Sequence, residues 1–348
     1  MKQRLSWFLL FAGLFSLSGC AKSEPALEDY VSTLPFVENF SVLQLTDLHW
    51  STLTDRPKQK EYLTAVISAA KLASPNGNVD LLMITGDCTL LGSKEVAKDL
   101  FDFLASFHIS FGVSWGNHDR QSAYSMEWLD SLLSSYPNSL YKDLDDNVTG
   151  RSNYVISLQD SGKSKWQIYS LDSGSYEPSS TPLRYSYDHI RTDQSAWFAK
   201  EADKASNVPS LAYFHIPTRE WQEVYENKSY SKVAFEKNER IWASENESDF
   251  FRTAKSHNVK GLFCGHDHSN DLTLTYEGVV LGYGVKSGKE LSFGTSPTRT
   301  YVPAGTSEKK PLQLIGGSLS VLHGDGTFDL KHLYVQDDRL YTVVEETY

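Results

Sequence analysis

NVDLLMITGDCTL, Asn78 to Leu90, is a near-continuous apolar run that halts at Gly86-Asp87. An apolar run without alternation describes a strand buried on both faces, as in a sheet with helices packed over it. The shape recurs on both sides. SVLQLTDLHW, Ser41 to Trp50, ends in Asp47 and His49, and ISFGVSWGNHD, Ile109 to Asp119, halts at Gly116-Asn117-His118-Asp119. Between these runs, Gln59 to Ala73 sets apolar residues at helical spacing and is closed by Pro75 and Gly77. Lys94 to Phe107 has the same helical pattern. Short buried strands alternating with helices predict an α/β core.

Further along, SNYVISLQDSGKSKWQIYSLDS reads as a hairpin turning at Asp160-Ser161-Gly162. Met126 to Leu133 and Asp193 to Ala205 have helical patterns, VPSLAYFHIP is a strand ending at His215, and NVKGLFCGHDH is another ending at His266. From Leu272 onward the pattern is of several antiparallel strands. No repeat, low-complexity block or internal linker interrupts the chain, so one domain, two sheets deep, is expected.

Five polar clusters therefore sit at strand ends: TDLH, TGD, GNHD, FH and GHDH. In open α/β sheets the crevice beyond the carboxyl ends of the strands is where ligands bind. One strand-end histidine is ordinarily a solvated loop residue, but several clusters that bring His, Asp and Asn to one end of a sheet are hard to explain by solvation. Carboxylate, imidazole and amide oxygen together suit Mn, Fe or Zn better than a calcium cage. A shared carboxylate can bridge two such ions about 3.5–4 Å apart, close enough to share a nucleophile and neutralise a phosphoryl group.

The series Asp47 and His49, Gly86-Asp87, Gly116 to Asp119, His215 and Gly265 to His268 is similar to the calcineurin-like metallophosphoesterases, with all motifs in family order over about Ser41 to His268. The resemblance implies the family's two-layered mixed β-sandwich flanked by helices, an α/β fold. It also implies a centre of two divalent or trivalent ions (Fe, Mn or Zn). Asp47, His49 and His268 would hold one ion, Asn117, His215 and His266 the other, and Asp87 would bridge them. His118, oriented by Asp119, would stabilise phosphoryl charge or protonate the leaving group. The chain would hydrolyse a small phosphomonoester by attack of a metal-bound hydroxide, with phosphodiesters as the alternative; an inactive binding protein would be missing a ligand or His118. The purple acid phosphatases, which the chain resembles without matching, carry a tyrosine three residues after the bridging aspartate and no histidine two residues after the first. Here those positions are Leu90 and His49, so a non-purple relative is implied.

Asp267 is expected in loop hydrogen bonds, as are Asn270 and Asp271. Arg120, Arg184 and Arg219 are candidates to reach a phosphate, and His189 to edge the cleft. The aromatic-rich stretches around SYEPSSTPLRYSYDHI and REWQEVYENKSYSKVAF are read as loops beside it, either roofing it or packing their tyrosines beneath.

Lys2, Arg4 and a short apolar run from Phe8 to Leu17 precede LSGC, which resembles a bacterial lipoprotein signal. That implies a signal peptide over 1–19, acylation at Cys20 and a lipid bilayer as partner, with a tether over 20–38 and the catalytic domain over 39–348. Ala21-Lys22 favours an outer-membrane address within an exported, envelope-bound protein. Cys88 and Cys264 then remain, without a CxxC, so no cysteine zinc site is expected and both are read as buried thiols rather than a disulfide. A net charge of −11 excludes a general binder of nucleic-acid backbones. A monomer is expected.

Overall fold

The computed structural model describes residues 30–143, 148–181, 184–246, 248–288, 298–301, 310–336 and 339–348. The stretch expected to be a signal peptide, and Cys20, lie outside the described residues. Strands in the first half are β1 (Val31–Pro35), β2 (Phe40–Leu45), β3 (Leu81–Thr85), β4 (Ser110–Ser114), β5 (Tyr154–Asp160), β6 (Lys163–Ser170), β7 (Tyr176–Pro178) and β8 (Tyr185–Tyr187). The second half supplies β9 (Ser210–Tyr213), β10 (Lys232–Ala234), β11 (Val259–Cys264), β12 (Thr273–Tyr276) and β13 (Val279–Tyr283). β14 (Thr298–Tyr301), β15 (Lys310–Gln313), β16 (Gly316–Leu322), β17 (Phe328–Gln336) and β18 (Arg339–Thr347) complete the series. The helices are α1 (Arg56–Ala73), α2 (Lys94–Ala105), α3 (Met126–Ser134), α4 (Thr192–Lys204), α5 (Arg219–Asn227) and α6 (Phe250–Ser256).

Two mixed sheets stack face to face. The smaller runs β18-β17-β16-β2-β3-β4, and the larger β1-β5-β6-β9-β11-β13-β12-β10. β2, β3 and β4 are mutually parallel, as are β6, β9, β11 and β13 in the order β6-β9-β11-β13. Buried apolar side chains of both sheets, among them Met83, Phe328, Ile168 and Phe263, fill the space between them. α1 packs on the outer face of the smaller sheet against β16, β17 and β18, whereas α5 and α6 pack on the larger sheet. The expected two-layered mixed sandwich flanked by helices is the observed fold.

Local chemistry explains the elements. α1 starts where the Asp55 carboxylate accepts from the Lys58 amide, with a proline in its first turn, and buries Tyr62, Leu63, Val66 and Ile67 on one stripe. The β5–β6 hairpin turns on Ser161 and Gly162, both at positive φ (52° and 75°), the geometry that matches strand twist in a two-residue loop.

One boundary differs from the sequence reading. Val31–Pro35, placed in the tether, is a strand paired in parallel with β5 at the end of the larger sheet. It is half-buried and short, so its sequence carries little of the apolar signal that marks the central strands.

Polar bonds stitch the sheets together at one end. Gln44 on β2 donates to the Cys264 carbonyl on β11 (3.0 Å), and Ser114 on β4 donates to the Tyr213 carbonyl on β9 (3.1 Å). These strands are the ones whose carboxyl ends carry the polar clusters.

Candidate metal centre

From the smaller sheet, the loops after β2, β3 and β4 deliver Asp47 and His49, Asp87, and Asn117 and His118. From the larger sheet, the loops after β9 and β11 deliver His215 and then His266 and His268. Asp47, His49, Asp87 and His266 all have positive φ (52°, 49°, 49° and 78°). Such backbone costs roughly 1–3 kcal/mol at each residue, and it persists only where surrounding structure enforces it. Gly86 sits among them at φ 85°, where an added Cβ would lie 2.6 Å from the His215 ring and 2.7 Å from the Gly116 nitrogen. Two strand ends must approach closely there, and only glycine permits it.

Asp87 occupies the middle. Its Oδ2 lies 3.3 Å from His49 Nε2 and 3.3 Å from His215 Nε2, and its Oδ1 accepts the His118 amide at 2.8 Å. On one side, ligand atoms of Asp47, His49, Asp87 and His268 lie within 4.8 Å of one another, with His268 Nε2 3.5 Å from Asp47 Oδ1. On the other side, His215 Nε2 is 3.1 Å from Asn117 Oδ1, and the His215 and His266 rings are 5.1 Å apart. All seven sequence-predicted donors are therefore brought together in two lobes about Asp87.

Two atoms test whether this cradle suits metal ions. Among the described residues, Asp47 Oδ1 and His266 Nε2, one in each lobe, are buried without a hydrogen bond; the approach to Asp47 Oδ1 is by His268 Nε2 at 3.5 Å, itself a candidate ligand. A buried orphan of this kind costs about 1–3 kcal/mol unless something else satisfies it. His215 is set for the same purpose. Its Nδ1–H donates to the Thr85 carbonyl (2.8 Å), which turns Nε2 toward Asp87 and Asn117. The donor set fits a dinuclear divalent-metal centre.

The electrostatics agree. Burial pushes the Asp87 carboxyl upward, but the charge of His215 and hydrogen bonds from His215 and His49 outweigh it and hold Asp87 well below the usual range. Burial likewise opposes charge on His215, yet the Asp87 carboxylate raises it to about 10. Burial and the His215 charge lower His266 to about 3, so His266 is neutral. This polarised nest of two carboxylates and several imidazoles is what a cation would replace with its own charge.

His118 lies at the rim, with Nε2 3.9 Å from Asp87 Oδ2 and its side chain 18% exposed. Its partner differs from the expected one. Nδ1 meets Gln121 Oε1 at 2.7 Å, while the buried Asp119 carboxylate accepts from the Gly116 amide (2.9 Å) and the Thr89 amide (3.0 Å). Asp119 therefore braces the loops carrying Asp87 and Asn117, and Gln121 steadies the imidazole. The reason is directional: a residue immediately after His118 points into the turn, whereas one three positions on returns to the same face.

Asp267 does lie in loop bonds, taking Tyr283 Oη–H at 2.5 Å and Asn270 Nδ2–H at 3.1 Å. Asn270 accepts the amides of Asn238 and Glu239, and Asp271 accepts the Glu236 amide. Arg120 is taken up by Asp172 (2.5 Å) and the Gly174 carbonyl, and Arg219 by Glu223 (2.9 Å). His189 joins Glu177 and Asp188 in a second cluster of potential ligands, but Arg191 already pairs with both carboxylates there (3.1 and 2.5 Å). That cluster is an ion-pair network. Cys88 and Cys264 are buried free thiols, as expected.

Two neighbours escape motif reading. Lys286 is buried beneath Asp47, donating to the Asp47 carbonyl (3.1 Å) and the Gly288 carbonyl (2.7 Å); burial lowers it to about 8 against the pull of Asp47 and Asp87. Tyr176 receives a hydrogen bond from Asn117 Nδ2 (3.0 Å). Neither belongs to a strand-end cluster; the aromatic-rich stretch that contains Tyr176 reads as a loop beside the cleft, but its pattern does not single out this residue.

Residues 40–270 match the family described as calcineurin-like phosphoesterase, and the chain belongs to that family. With its donor set, it is a metal-dependent hydrolase of the dinuclear phosphoesterase class, related to the purple acid phosphatases. A relative named probable inactive purple acid phosphatase 29, from Arabidopsis thaliana, is 29% identical over 322 residues, covering 80% of this chain and 79% of its own. Phosphatase DCR2 of Saccharomyces cerevisiae is 27% identical over 266 residues, covering 68% of this chain and 45% of its own. Among solved structures, a dimetal phosphatase from Danio rerio superposes with a TM-score of 0.54 at 13% identity, over 89% of this chain and 99% of that one, a likeness of fold.

Proposed function

We propose that the chain is a phosphomonoesterase. Asp47, His49 and His268 would hold one ion and Asn117, His215 and His266 the other, with Asp87 shared between them. The observation that carries this reading is the arrangement of seven donors in two lobes about one carboxylate, with an orphaned buried atom in each lobe. Such a metal pair supplies a nucleophile at neutral pH and positive charge for the phosphoryl oxygens. The protein's own groups do the rest. His215 is oriented through the Thr85 carbonyl. His118, held at Nδ1 by Gln121, presents Nε2 to the reacting group and, when protonated, donates to the leaving oxygen.

The relatives' names raise the question of activity itself. An inactive member of this fold is expected to lack a ligand or the rim histidine, and here all eight side chains are in place at the site. Leu90, where the purple enzymes have their phenolate donor, supports a centre without their violet band. His49 favours phosphodiester hydrolysis as a second reading, because histidine-rich first sites also occur in diesterases.

The test compares rates on nitrophenyl phosphate and bis(nitrophenyl) phosphate for Mn-, Zn- and Fe-loaded protein. Faster monoester hydrolysis is expected. A diester preference moves the assignment to the second reading, and no hydrolysis by any loaded form removes both.

We further propose that the chain is exported and anchored to the envelope through acylated Cys20, on the strength of the apolar run and LSGC at its start. No described helix is long and apolar enough to cross a membrane. Labelled palmitate incorporated by the parent chain and lost in Cys20→Ser is the expected result; equal labelling, or none in either, counts against the anchor.

A further inference from the structure

The β7–β8 hairpin stands against the second lobe. Its two strands pair Tyr176 opposite Tyr187, and the rings lie 5.4 Å apart at 31°. Tyr187 sets its ring edge-on to His266 at 4.2 Å and 82°, and Trp242 approaches Tyr187 from the other side at 6.5 Å. The Ser175 hydroxyl, just before the hairpin, donates to the Asn117 carbonyl (3.2 Å). Aromatic and polar contacts thus pin the hairpin to the loops that carry Asn117 and His266, so Tyr176 has a set position despite being 41% exposed.

The bonding of the Tyr176 hydroxyl is one-sided. It accepts from Asn117 Nδ2 at 3.0 Å and from Gln121 Nε2 at 3.4 Å. A phenolic oxygen has two lone pairs and one proton. Both acceptor positions are used by protein donors, and among the described residues no acceptor takes the proton. Asn117 Oδ1 faces His215 Nε2 in the metal centre, and Gln121 Oε1 holds His118 at the rim. The hydroxyl accordingly sits between the second lobe and the residue placed to act on the leaving group. An exposed donor at that point, with its lone pairs saturated, is suited to an anionic acceptor.

We propose that Tyr176 is a substrate-binding residue that donates its hydroxyl proton in a hydrogen bond to a phosphoryl oxygen of the bound ester. The proposal rests on the phosphoesterase reading of the same site. Hydrogen bonds to charged oxygens are about twice as strong as neutral ones, so one phenol contributes measurably to holding a phosphate. Its two accepted bonds fix its direction before the anion arrives, which keeps the entropic cost of ordering low.

Tyr176→Phe keeps the ring and its packing on Tyr187 while removing the hydroxyl. Binding of inorganic phosphate to the Mn-loaded protein, measured by titration calorimetry, is expected to weaken by about ten- to a hundredfold, the range for one hydrogen bond to a charged partner. Metal content is expected to stay at the parental value, with an unchanged melting temperature. The KM for a phosphomonoester is expected to rise more than kcat falls. Phosphate affinity equal to the parent's overturns the proposal and leaves the phosphoesterase reading standing. Loss of an ion in Tyr176→Phe also overturns it, because the phenol then acts by holding Asn117. A parent protein that neither binds phosphate nor hydrolyses any ester removes the functional reading, and this proposal with it.

Discussion

The two sheets contribute unlike halves of the candidate metal centre. The smaller sheet supplies every oxygen donor, Asp47, Asp87 and Asn117, and only one imidazole, His49. The larger sheet supplies imidazoles alone, His215, His266 and His268. Neither half is a site by itself: carboxylates crowd one sheet's strand ends and histidines the other's. The centre exists because the sandwich closes, and Gln44 and Ser114 bond across the interface just behind it. Sheet docking is therefore what assembles the donor set, and the contrast between the halves predicts what each substitution removes.

The largest effect belongs to Asp87, the carboxylate that stands between the two lobes. Asp87→Ala is expected to lose both ions and essentially all activity, whereas Asn117→Ala and His268→Ala each lose one. Weakening an outer partner of a ligand already costs roughly 10–100-fold in metal affinity, so removal of the shared ligand must cost more. Elemental analysis of the three variants decides it. An Asp87→Ala protein that keeps one ion at full occupancy would show that Asp87 does not serve both ions.

Next comes chelation. If ions hold the two strand-end sets together, their removal destabilises the closed sandwich. A ligand at a thousandfold excess over Kd stabilises by about 4 kcal/mol, and two such sites in a domain of this size correspond to a fall in Tm on the order of 10 °C on metal removal. Differential scanning calorimetry with and without chelator measures it. An unchanged Tm would mean that the apolar core alone sets the docking of the sheets.

His118 comes third, since it stands at the rim of the carboxylate half and its loss should spare the metals. His118→Ala is expected to lower kcat by roughly 10²–10⁴-fold with both ions retained. The loss should be greater for an alkyl phosphate than for nitrophenyl phosphate, whose leaving group needs no proton. An equal loss on the two substrates leaves His118 as an electrostatic stabiliser only.

The same contrast explains what the sequence revealed. The central strands announce themselves because each is apolar throughout and stops at a polar cluster, as at Ile84-Thr85-Gly86-Asp87. Candidate donors within a few residues of those stops could therefore be named from the sequence, including the two histidines on either side of Asp267, whose rings approach different neighbours, His215 and Asp47. Residues placed by tertiary folding were not. Tyr176 reaches Asn117 only because a three-residue strand folds back on β8, and Lys286 reaches Asp47 through an isolated bridge between Lys286 and Thr46. β1 stayed hidden for a related reason, since a strand at a sheet's end needs little apolar burial to pair. Gln121 follows the motif by only two residues, but which neighbour holds His118 depends on the turn Asp119–Gln121, a backbone detail that spacing does not encode.

That last detail gives the smallest and sharpest test, because Asp119 and Gln121 are assigned different tasks beside one histidine. Gln121 contributes one hydrogen bond to His118 at an exposed position. A bond of that kind is worth about 0.5–1.5 kcal/mol, so Gln121→Ala is expected to lower kcat only about three- to tenfold, with Tm unchanged. Asp119 is buried and takes two backbone amides. Asn in its place presents one oxygen and an NH2 group, so one of those amides loses its acceptor, at about 1–3 kcal/mol. Asp119→Asn is therefore expected to lower Tm by several degrees, and its kcat should fall no more than that of Gln121→Ala once measured well below the transition. Burial and the nearby Asp87 charge raise the Asp119 carboxyl to about 7, yet both of its oxygens serve as acceptors for amides, and that task survives in part in the neutral amide side chain. Kinetics and melting curves on the two variants separate orientation of the imidazole from bracing of the loops. A large kcat loss in Asp119→Asn with Tm intact would return the orienting role to Asp119 and leave Gln121 a bystander at the rim.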